Sequence, residues 1–440
     1  MSATTPQPPS SEVQTYIANA EQRAWDIPEA AAHVERRPIH RVGIIGAGTM
    51  GSGIAMSFLS AGIAVTMIET QQDALNRGLA NMRRNYETSA RKGKLTFAEV
   101  DTRLALLRQS LDMAELKNCE LIIEAVFEDM DLKKRIFAQL DAVAPAGAIL
   151  ATNTSGLDVN EIARATRRPS DVIGLHFFSP ANVMRLLEVV RGDLTADSII
   201  ATSMDIARKI GKTAVLVGVC PGFVGNRMLH QRHLQADQLV LEGAMPWDVD
   251  RVLRDFGFPM GPYQMADLAG LDIGWKRETS TGSTLREILC EADRRGQKTG
   301  SGFYDYDEQR RPTPSPVAER AALAISNLRG VTRRIIDDQE ILERCLMPLI
   351  NEGAKILEQG KARCASDIDV VWLYGYGWPK FRGGPMHYAD SIGVKRVLDS
   401  LQRHAPRLGA QSVPAQLLRT LAERSEGLLD LVPMKLRAQA

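Results

Sequence analysis

Seven short apolar segments of β-strand length alternate with segments of helical pattern between residues 41 and 218. The first is RVGIIGAG at 41–48, and the last is TAVLVG at 213–218. The charged stretch 71–108 between the second and third segments is expected to form two helices that break near Gly93. Because a strand that is apolar on both faces needs helices on both sides, the alternation predicts a doubly wound, mostly parallel sheet.

The glycine pattern G-x-G-x-x-G stands where the first strand passes into a helix, at Gly46, Gly48 and Gly51. In dinucleotide sites the first glycine permits a tight turn, the second lets the backbone approach a pyrophosphate, and the third allows close helix–strand packing. Thr49 and Met50 complete the expected cofactor-binding turn. A purely structural turn remains the alternative for the glycines alone.

An acidic residue ends the second strand and strengthens this interpretation. Glu69 follows Gly46 by 23 residues. A carboxylate there accepts hydrogen bonds from both ribose hydroxyls and repels a 2′-phosphate. We therefore expect a Rossmann-type domain that binds NAD rather than NADP.

The second half of the chain has a different pattern. After Pro221 the strand signals fade and helical patterns with Gly/Pro punctuation dominate, and RRPTPSP suggests a linker. The fold class expected is α/β followed by all-α. The predicted divisions are a disordered tail with a linker helix (1–38), an NAD-binding sheet domain (39–219), a first helical domain (220–306), a linker (307–334) and a second helical domain (335–440).

The helical half contains an internal repeat, in which residues 242–270 match residues 358–393. Asp250 pairs with Asp369, Gly257 with Gly377 and Pro262 with Pro385 in the same order. Shared turn residues and acids in one order predict two related helical modules.

Composition narrows the partners and the compartment. The net charge is +1, from 54 basic and 53 acidic side chains, so neither nucleic acid nor an acidic membrane is expected. Five scattered cysteines form no metal-ligand pattern, which favours a reducing compartment and no metal site. No segment has the features of a signal peptide or a membrane span, and the final AQA is not a peroxisomal tail. The expected location is cytoplasmic.

One of the seven histidines, His176, lies at the end of an apolar strand in GLHFFSP. Strand ends line the ligand crevice of a doubly wound sheet. When an alcohol gives a hydride to a nicotinamide, its hydroxyl proton must also be removed, and a base of near-neutral pKa such as histidine suits that step. A core histidine held by a backbone group is an equally weighted alternative on position alone.

Six motifs occur along the chain in the following order: GAGTMGSGIA, IIEAVFED, TNTSG, GLHFFSP, LLEVV and PGFVGNR. From about residue 12 to about residue 403 the chain closely resembles the L-3-hydroxyacyl-CoA dehydrogenase family. More narrowly, it resembles the dehydrogenase half of multifunctional β-oxidation enzymes of the peroxisomal bifunctional type. The resemblance implies reversible, NAD-dependent oxidation of (S)-3-hydroxyacyl-CoA to 3-oxoacyl-CoA.

The resemblance also implies roles for four catalytic residues. His176 would be the base and Glu188 its carboxylate partner, which fixes the tautomer and stabilises the imidazolium. Ser155 would hydrogen-bond the substrate oxygen, and Asn226 would position the thioester. The alternatives are a solvated strand-edge charge for Glu188, a turn or N-cap serine for Ser155, and a helix-surface amide for Asn226.

Further contacts follow from the same resemblance. Glu128 and Lys133 are expected to contact the nucleotide, and Asn153 the nicotinamide side. The charged insertion 83–94 resembles the family's helical arm over CoA, where Arg91 and Lys92 would meet its phosphates. A solvated helix face is the alternative there.

The chain departs from the family pattern in two places, and the first is the segment before the glycine loop. Only about 40 residues precede the glycine loop, too few for a domain with its own core, so no hydratase activity is expected. The linker helix is expected to find a partner surface or remain mobile.

The second departure lies in the repeat. Aligned through Arg227 and Arg344, Asn226 corresponds to Glu343, so the second module is expected to be structural. A monomer is expected if the second copy covers the surface through which single-repeat relatives dimerise, and a homodimer otherwise.

Two other functions remain open. The first is NAD-dependent oxidation of a hydroxy acid without CoA, such as L-gulonate. The second is a non-catalytic NAD-binding scaffold, which has no need of the four catalytic residues together. Related β-hydroxyacid dehydrogenases use a catalytic lysine. The HFF motif that contains His176, together with Glu188, argues against assigning the chain to that group.

Overall fold

The computed structural model describes residues 8–437, so most of the predicted disordered tail and the final AQA lie outside the described residues. The first half of the chain forms one eight-stranded sheet. Its strands are β1 (Arg41–Ile45), β2 (Ala64–Ile68), β3 (Leu107–Ser110), β4 (Leu121–Glu124), β5 (Ile149–Thr152), β6 (Val172–Phe177), β7 (Leu186–Arg191) and β8 (Thr213–Gly218). The helices of this half are α1 (Ser11–Trp25), α2 (Thr49–Ser60), α3 (Gln72–Arg91), α4 (Phe97–Leu104), α5 (Met130–Val143), α6 (Val159–Ala163) and α7 (Asp197–Lys209).

The strand order is β3-β2-β1-β4-β5-β6-β7-β8, and every neighbouring pair is parallel except β6–β7. This confirms the predicted doubly wound sheet. Each of the seven predicted strands is present, whereas β3 was missed because its sequence, LRQS, is polar and occupies the sheet edge. The two helices predicted in 71–108 are α3 and α4, and they separate near Gly93.

Helices cover both faces of the sheet. One face packs on α2, α3 and α7 through a core that includes Ile54, Met82 and Ile199. The other face packs on α5, α6 and the helical half through a continuous core that includes Phe137 and Val215. Side chains alternate between faces along a strand, so the position of a residue in its strand decides which core it joins.

The second half of the chain is helical, as predicted, with one short hairpin. Its helices are α8 (Gly225–Glu242), α9 (Pro246–Phe256), α10 (Pro262–Ala269), α11 (Leu285–Glu291), α12 (Pro316–Leu328), α13 (Asp338–Glu358), α14 (Ala365–Gly375), α15 (Pro385–Ile392), α16 (Val394–Arg403), α17 (Ala405–Leu408) and α18 (Gln416–Arg424). The hairpin pairs β9 (Tyr304–Tyr306) with β10 (Pro312–Pro314). Within the described residues, none of the helices has the length and apolar character needed to cross a membrane.

The segment predicted as a linker, 307–334, contains α12. Ser315 caps this helix by accepting from the amides of Val317 and Ala318, and Pro316 occupies its first position. Ala318 and Ala322 are buried against the first helical module. The sequence pattern did not indicate this helix because RRPTPSP marks only the hairpin and the helix start, after which an apolar face follows.

The repeat is visible as an approximate twofold relation between α8 and α13. Arg227 of α8 bonds Glu352 of α13 and Gln359, which directly follows that helix. Arg344 of α13 bonds Gln235 and Glu242 of α8. In both cases the two acceptors stand seven residues apart along the chain. The matching contacts support the alignment of Arg227 with Arg344.

A buried aspartate organises each copy. Asp250 accepts from the amides of Tyr263 and Gln264, 2.9 Å away in each case, and these amides belong to the first turn of α10. Asp369 accepts in the same way from Met386 and His387, at 2.7 and 3.0 Å, at the start of α15. Each aspartate therefore satisfies amides that the helix itself leaves unpaired.

Each aspartate also accepts a tyrosine hydroxyl, but from a different part of the chain. Tyr304 of the hairpin donates to Asp250 at 2.8 Å, and Tyr16 of α1 donates to Asp369 at 2.5 Å. The N-terminal helix thus gives Asp369 of the second copy its tyrosine donor, as the hairpin gives Asp250 of the first copy its own.

The N-terminal helix packs within the chain. Its buried residues Ile17, Ala20 and Ala24 belong to the core that also holds α14 and β8. The expectation that this helix finds another partner or remains mobile was therefore wrong. The helix ends at Trp25, well before the predicted end of the linker-helix segment at residue 38, because Asp26 and Pro28 follow it.

We predict that Tyr16→Phe and Tyr304→Phe destabilise the protein similarly, by about 1–2 kcal/mol each, since each leaves a buried carboxylate with one donor fewer. Denaturant unfolding of the two variants beside the wild type measures this. A Tyr16→Phe variant that unfolds like the wild type would show that α1 does not support the second copy.

Candidate active site

The glycine turn between β1 and α2 has the shape of a phosphate-binding turn. Gly46 has a φ of +105°, and a Cβ there would lie 2.7 Å from the carbonyl oxygen of Ala125. A Cβ at Gly51 would lie 1.9 Å from the carbonyl oxygen of Gly46, whereas one at Gly48 meets nothing within 4 Å. Two glycines therefore permit close packing, and the exposed Gly48 leaves open space at the N-terminus of α2, where an anion is stabilised.

The acid at the end of β2 lies beside this turn. Glu69 accepts from the amide of Ala47 at 3.1 Å and from the amide of Thr70 at 2.7 Å. Thr49 is exposed, and Met50 is half-buried against the core. The strands β1 and β4 are neighbours whose connections leave in opposite directions, which is where doubly wound sheets bind ligands. The open space, the helix end and the carboxylate together fit a dinucleotide.

The histidine and glutamate of the predicted catalytic pair face each other across β6 and β7. The antiparallel register places His176 opposite Glu188, and Nδ1 lies 2.7 Å from Oε2. His176 is 5% exposed and Glu188 is fully buried. Because a carboxylate only accepts, Nδ1 is the donor, and Nε2 is left for a ligand. The alternative of a histidine held by a backbone group does not apply.

The other oxygen of Glu188 is held by the helical half of the chain. The amide of Gly225, in the first turn of α8, donates to Oε1 at 3.0 Å. The imidazole lies between aromatic rings, with centroid distances of 4.4 Å to Phe178 and 5.6 Å to Phe223. The pair is therefore desolvated, and its geometry depends on contact between the sheet and α8.

Ser155 and Asn226 contact each other beside the His176–Glu188 pair, since Asn226 directly follows Gly225 in α8. The Asn226 amide nitrogen donates to the Ser155 carbonyl oxygen at 3.2 Å. The Ser155 hydroxyl is exposed and donates to Glu128 at 3.0 Å. Asn153 accepts from the amide of Phe177 at 2.9 Å, which ties the end of β5 to the end of β6 beside His176. Ser155, Asn226 and Asn153 are thus brought to the histidine's side of the fold.

Glu128 is a partly exposed acceptor beside Ser155. Burial opposes its charge, but hydrogen bonds from Thr154 and Ser155, together with the ammonium of Lys133, lower the pKa of its carboxyl. Its position beside the cleft suits a contact with a polar group of a bound ligand.

Lys133 has a different place from the one expected. Its side chain is 1% exposed, and its ammonium lies 2.7 Å from Glu124 and 3.4 Å from Glu128. The sequence could not show this burial because the lysine lies on a charged helix. Such enclosure argues against a direct nucleotide contact and indicates that Lys133 fixes the two glutamates.

The expected phosphate-binding residues of the arm, Arg91 and Lys92, are exposed at the end of α3. Arg91 is paired with Glu87 at 3.2 Å. No contact joins either residue to the cleft among the described residues. The structure therefore gives no support to these two positions as anion contacts.

A cationic pocket that the sequence did not reveal lies between the arm and the loop after β6. It measures about 240 Å³, and Arg103, Arg185 and Lys212 line it without any acidic side chain among the described residues. Burial lowers the pKa of Lys212 to about 8, and its ammonium is held by the carbonyl oxygens of Ala181 and Met184. The three cations are far apart in the chain, so no local pattern marks them.

Family comparison covers most of the chain. Residues 41–220 match the family described as 3-hydroxyacyl-CoA dehydrogenase, NAD binding domain. Residues 222–306 and 341–427 each match 3-hydroxyacyl-CoA dehydrogenase, C-terminal domain, in agreement with two copies. The chain is 43% identical over 413 residues to the peroxisomal bifunctional enzyme of Cavia porcellus, covering 88% of this chain and 57% of that protein.

Two solved structures are similar over nearly their whole length. The dehydrogenase part of multifunctional enzyme 1 from C. elegans is 31% identical with a TM-score of 0.66, covering 94% of this chain and all of that one. The 3-hydroxybutyryl-CoA dehydrogenase of Escherichia coli is 27% identical with a TM-score of 0.74, covering 88% and 99%. These matches confirm the predicted fold and the NAD cofactor.

The expected cytoplasmic location was wrong. Several curated relatives that match over most of the chain carry peroxisomal names, the Cavia porcellus enzyme among them. Composition and unpaired cysteines indicate a reducing environment but do not distinguish one such compartment from another.

We predict that Gly48→Ala leaves the melting temperature unchanged but weakens NADH binding at least ~10-fold, because the new methyl fills space needed by the phosphates. Gly51→Ala is the matched variant, and it should lower the melting temperature because its methyl meets the Gly46 carbonyl. NADH fluorescence titration and thermal unfolding of both variants test this. Normal NADH affinity in Gly48→Ala would rule out binding at this turn.

Proposed function

The chain belongs to the 3-hydroxyacyl-CoA dehydrogenase family, and we propose that it catalyses the reversible, NAD-dependent oxidation of (S)-3-hydroxyacyl-CoA to 3-oxoacyl-CoA. The observation that carries the proposal is the buried contact of 2.7 Å between His176 Nδ1 and Glu188, within a sheet that also holds a dinucleotide turn. The chain spans 57–60% of the length of the first curated relatives, so the activity, substrate and pathway are proposals for this chain. β-Oxidation is the pathway proposed.

His176 is the proposed base. Its Nε2 accepts the proton of the substrate hydroxyl, while Glu188 keeps Nδ1 protonated and stabilises the imidazolium that forms. A bound nicotinamide supplies the hydride acceptor. The aromatic rings around the imidazole exclude water, which strengthens the His–Glu interaction.

Ser155 and Asn226 are proposed to bind the reacting end of the substrate. The amide group of Asn226 has two N–H donors, and the Ser155 carbonyl takes one. The second is available to the carbonyl oxygen of a thioester. In the unliganded chain the Ser155 hydroxyl donates to Glu128. In the substrate complex it is proposed to donate instead to the substrate oxygen, whose own proton goes to His176.

The cationic pocket is the proposed anchor for the phosphates of CoA. Arg103, Arg185 and Lys212 bring three cations to a pocket whose described lining contains no acidic side chain, and phosphate groups are bound well by such clusters. The pocket borders residues 182–184, in the loop that follows the His176 strand. It favours a phosphate-bearing thioester over a small hydroxy acid.

The predicted domain division is retained as a proposal with one change. Segment 307–334 joins the first helical domain because α12 packs on α8 and α11. The oligomeric state stays a prediction.

We predict that the wild type reduces acetoacetyl-CoA with NADH, and that His176→Ala and Glu188→Gln lower kcat at least ~100-fold while NADH binding persists, because the base or its orientation is lost. His40→Ala, at an exposed position before β1, is the control and should keep wild-type kcat. Near-normal turnover in His176→Ala would refute the assignment. A wild type inactive on CoA thioesters would refute the function.

We also predict that Arg103→Ala and Arg185→Ala each raise KM for acetoacetyl-CoA about tenfold, since each removes a charge near the phosphates. KM for acetoacetyl-N-acetylcysteamine, which has the thioester but no phosphates, should not change. Arg84→Ala, exposed on the arm, is the matched control. Equal effects on both thioesters would show that the pocket does not bind CoA phosphates.

A further inference from the structure

A residue of the second helical copy reaches the candidate active site. Tyr376 directly follows α14, and its hydroxyl donates to Asn226 Oδ1 at 2.8 Å. The side chain is nearly buried, with the residue 6% exposed. This hydrogen bond connects the two copies at the one amide proposed to bind substrate.

Gly225 makes the approach possible. A Cβ at this position would lie 2.3 Å from Cε2 and 2.4 Å from the hydroxyl oxygen of Tyr376. The amide of the same glycine donates to Glu188 at 3.0 Å. The first turn of α8 is therefore shaped to receive the tyrosine on one side and the catalytic carboxylate on the other.

The ring of Tyr376 is fixed by its neighbours. It stacks on Trp372 with a centroid distance of 4.7 Å and meets Phe178 edge-on at 5.4 Å. Phe178 in turn lies 4.4 Å from the ring of His176. Packing on two sides leaves the hydroxyl little freedom, so the hydrogen bond to Asn226 has a defined direction.

The two contacts of Asn226 together determine which way its amide points. The Ser155 carbonyl can only accept, so it requires the amide nitrogen, while the tyrosine hydroxyl donates to the amide oxygen. Burial and the nearby Glu188 carboxylate raise the pKa of Tyr376 well above its ordinary value, so the phenol keeps its proton. A flipped amide would place its oxygen against the Ser155 carbonyl oxygen, and it would take from the buried phenol proton the acceptor that it has now. Tyr376→Phe removes the second of these two costs.

We propose that Tyr376 is a positioning residue for the dehydrogenase reaction, holding the Asn226 amide with its nitrogen toward the cleft. This inference rests on the proposed function. It assigns the second helical copy a part in the active site, in addition to the structural role expected from Glu343 at the position of Asn226.

The test is Tyr376→Phe, which keeps the ring and removes only the hydroxyl. We expect kcat with acetoacetyl-CoA to fall about tenfold, because most of the enzyme then has the Asn226 amide oxygen, rather than its nitrogen, toward the cleft. KM for NADH should remain at the wild-type value because the nucleotide turn is untouched. Tyr304→Phe is the matched control. It also loses one buried hydrogen bond of a tyrosine hydroxyl, the bond to Asp250, but this bond lies away from the cleft, so the variant should keep wild-type kcat.

A second comparison separates positioning from a general loss of structure. In the Asn226→Ala background, Tyr376→Phe should have no further effect on kcat, since the amide that it orients is gone. Wild-type kcat in Tyr376→Phe, or a full additional loss in the double variant, would overturn the inference. Absence of wild-type activity on CoA thioesters would instead overturn the proposed function, and the inference with it.

Discussion

The site depends on one buried carboxylate. Glu188 is fully enclosed, and a carboxylate in such surroundings is tolerated only when hydrogen-bond donors satisfy it. His176 occupies one oxygen from the neighbouring strand, and the Gly225 amide occupies the other from α8. The sheet and the helical half must therefore be in contact for the pair to be stable. The same contact that satisfies Glu188 brings Asn226 to Ser155 and closes one side of the cleft.

Duplication gives the helical half its architecture. The arginine contacts between α8 and α13 repeat on both sides of an approximate twofold axis, as they would in the interface of a symmetric dimer. The two copies nevertheless complete their buried aspartates from different sources, Tyr304 in the hairpin and Tyr16 in α1. The N-terminal helix is consequently part of the second copy's core, although it lies at the other end of the chain.

Sequence reasoning succeeded where the signal was local and periodic. The apolar strands, the glycine turn with Glu69, and the repeat with Asp250 and Asp369 all follow from spacing along the chain. It failed where tertiary contacts decide the outcome. The edge strand β3 is polar, α12 is hidden behind a proline-rich start, and the burial of Lys133 depends on two glutamates. The cationic pocket and Tyr376 combine residues that only the fold brings together.

The two copies differ at the position that corresponds to Asn226. At the position corresponding to Asn226, the second copy has Glu343, which Ser400, Arg403 and His404 hold through hydrogen bonds. A carboxylate so engaged has no N–H to offer a thioester oxygen. The second copy is also covered by α1, and its helix α14 packs on β7 and β8. Its contribution to the first copy's site is the residue after α14, Tyr376, which lies against the amide of Asn226.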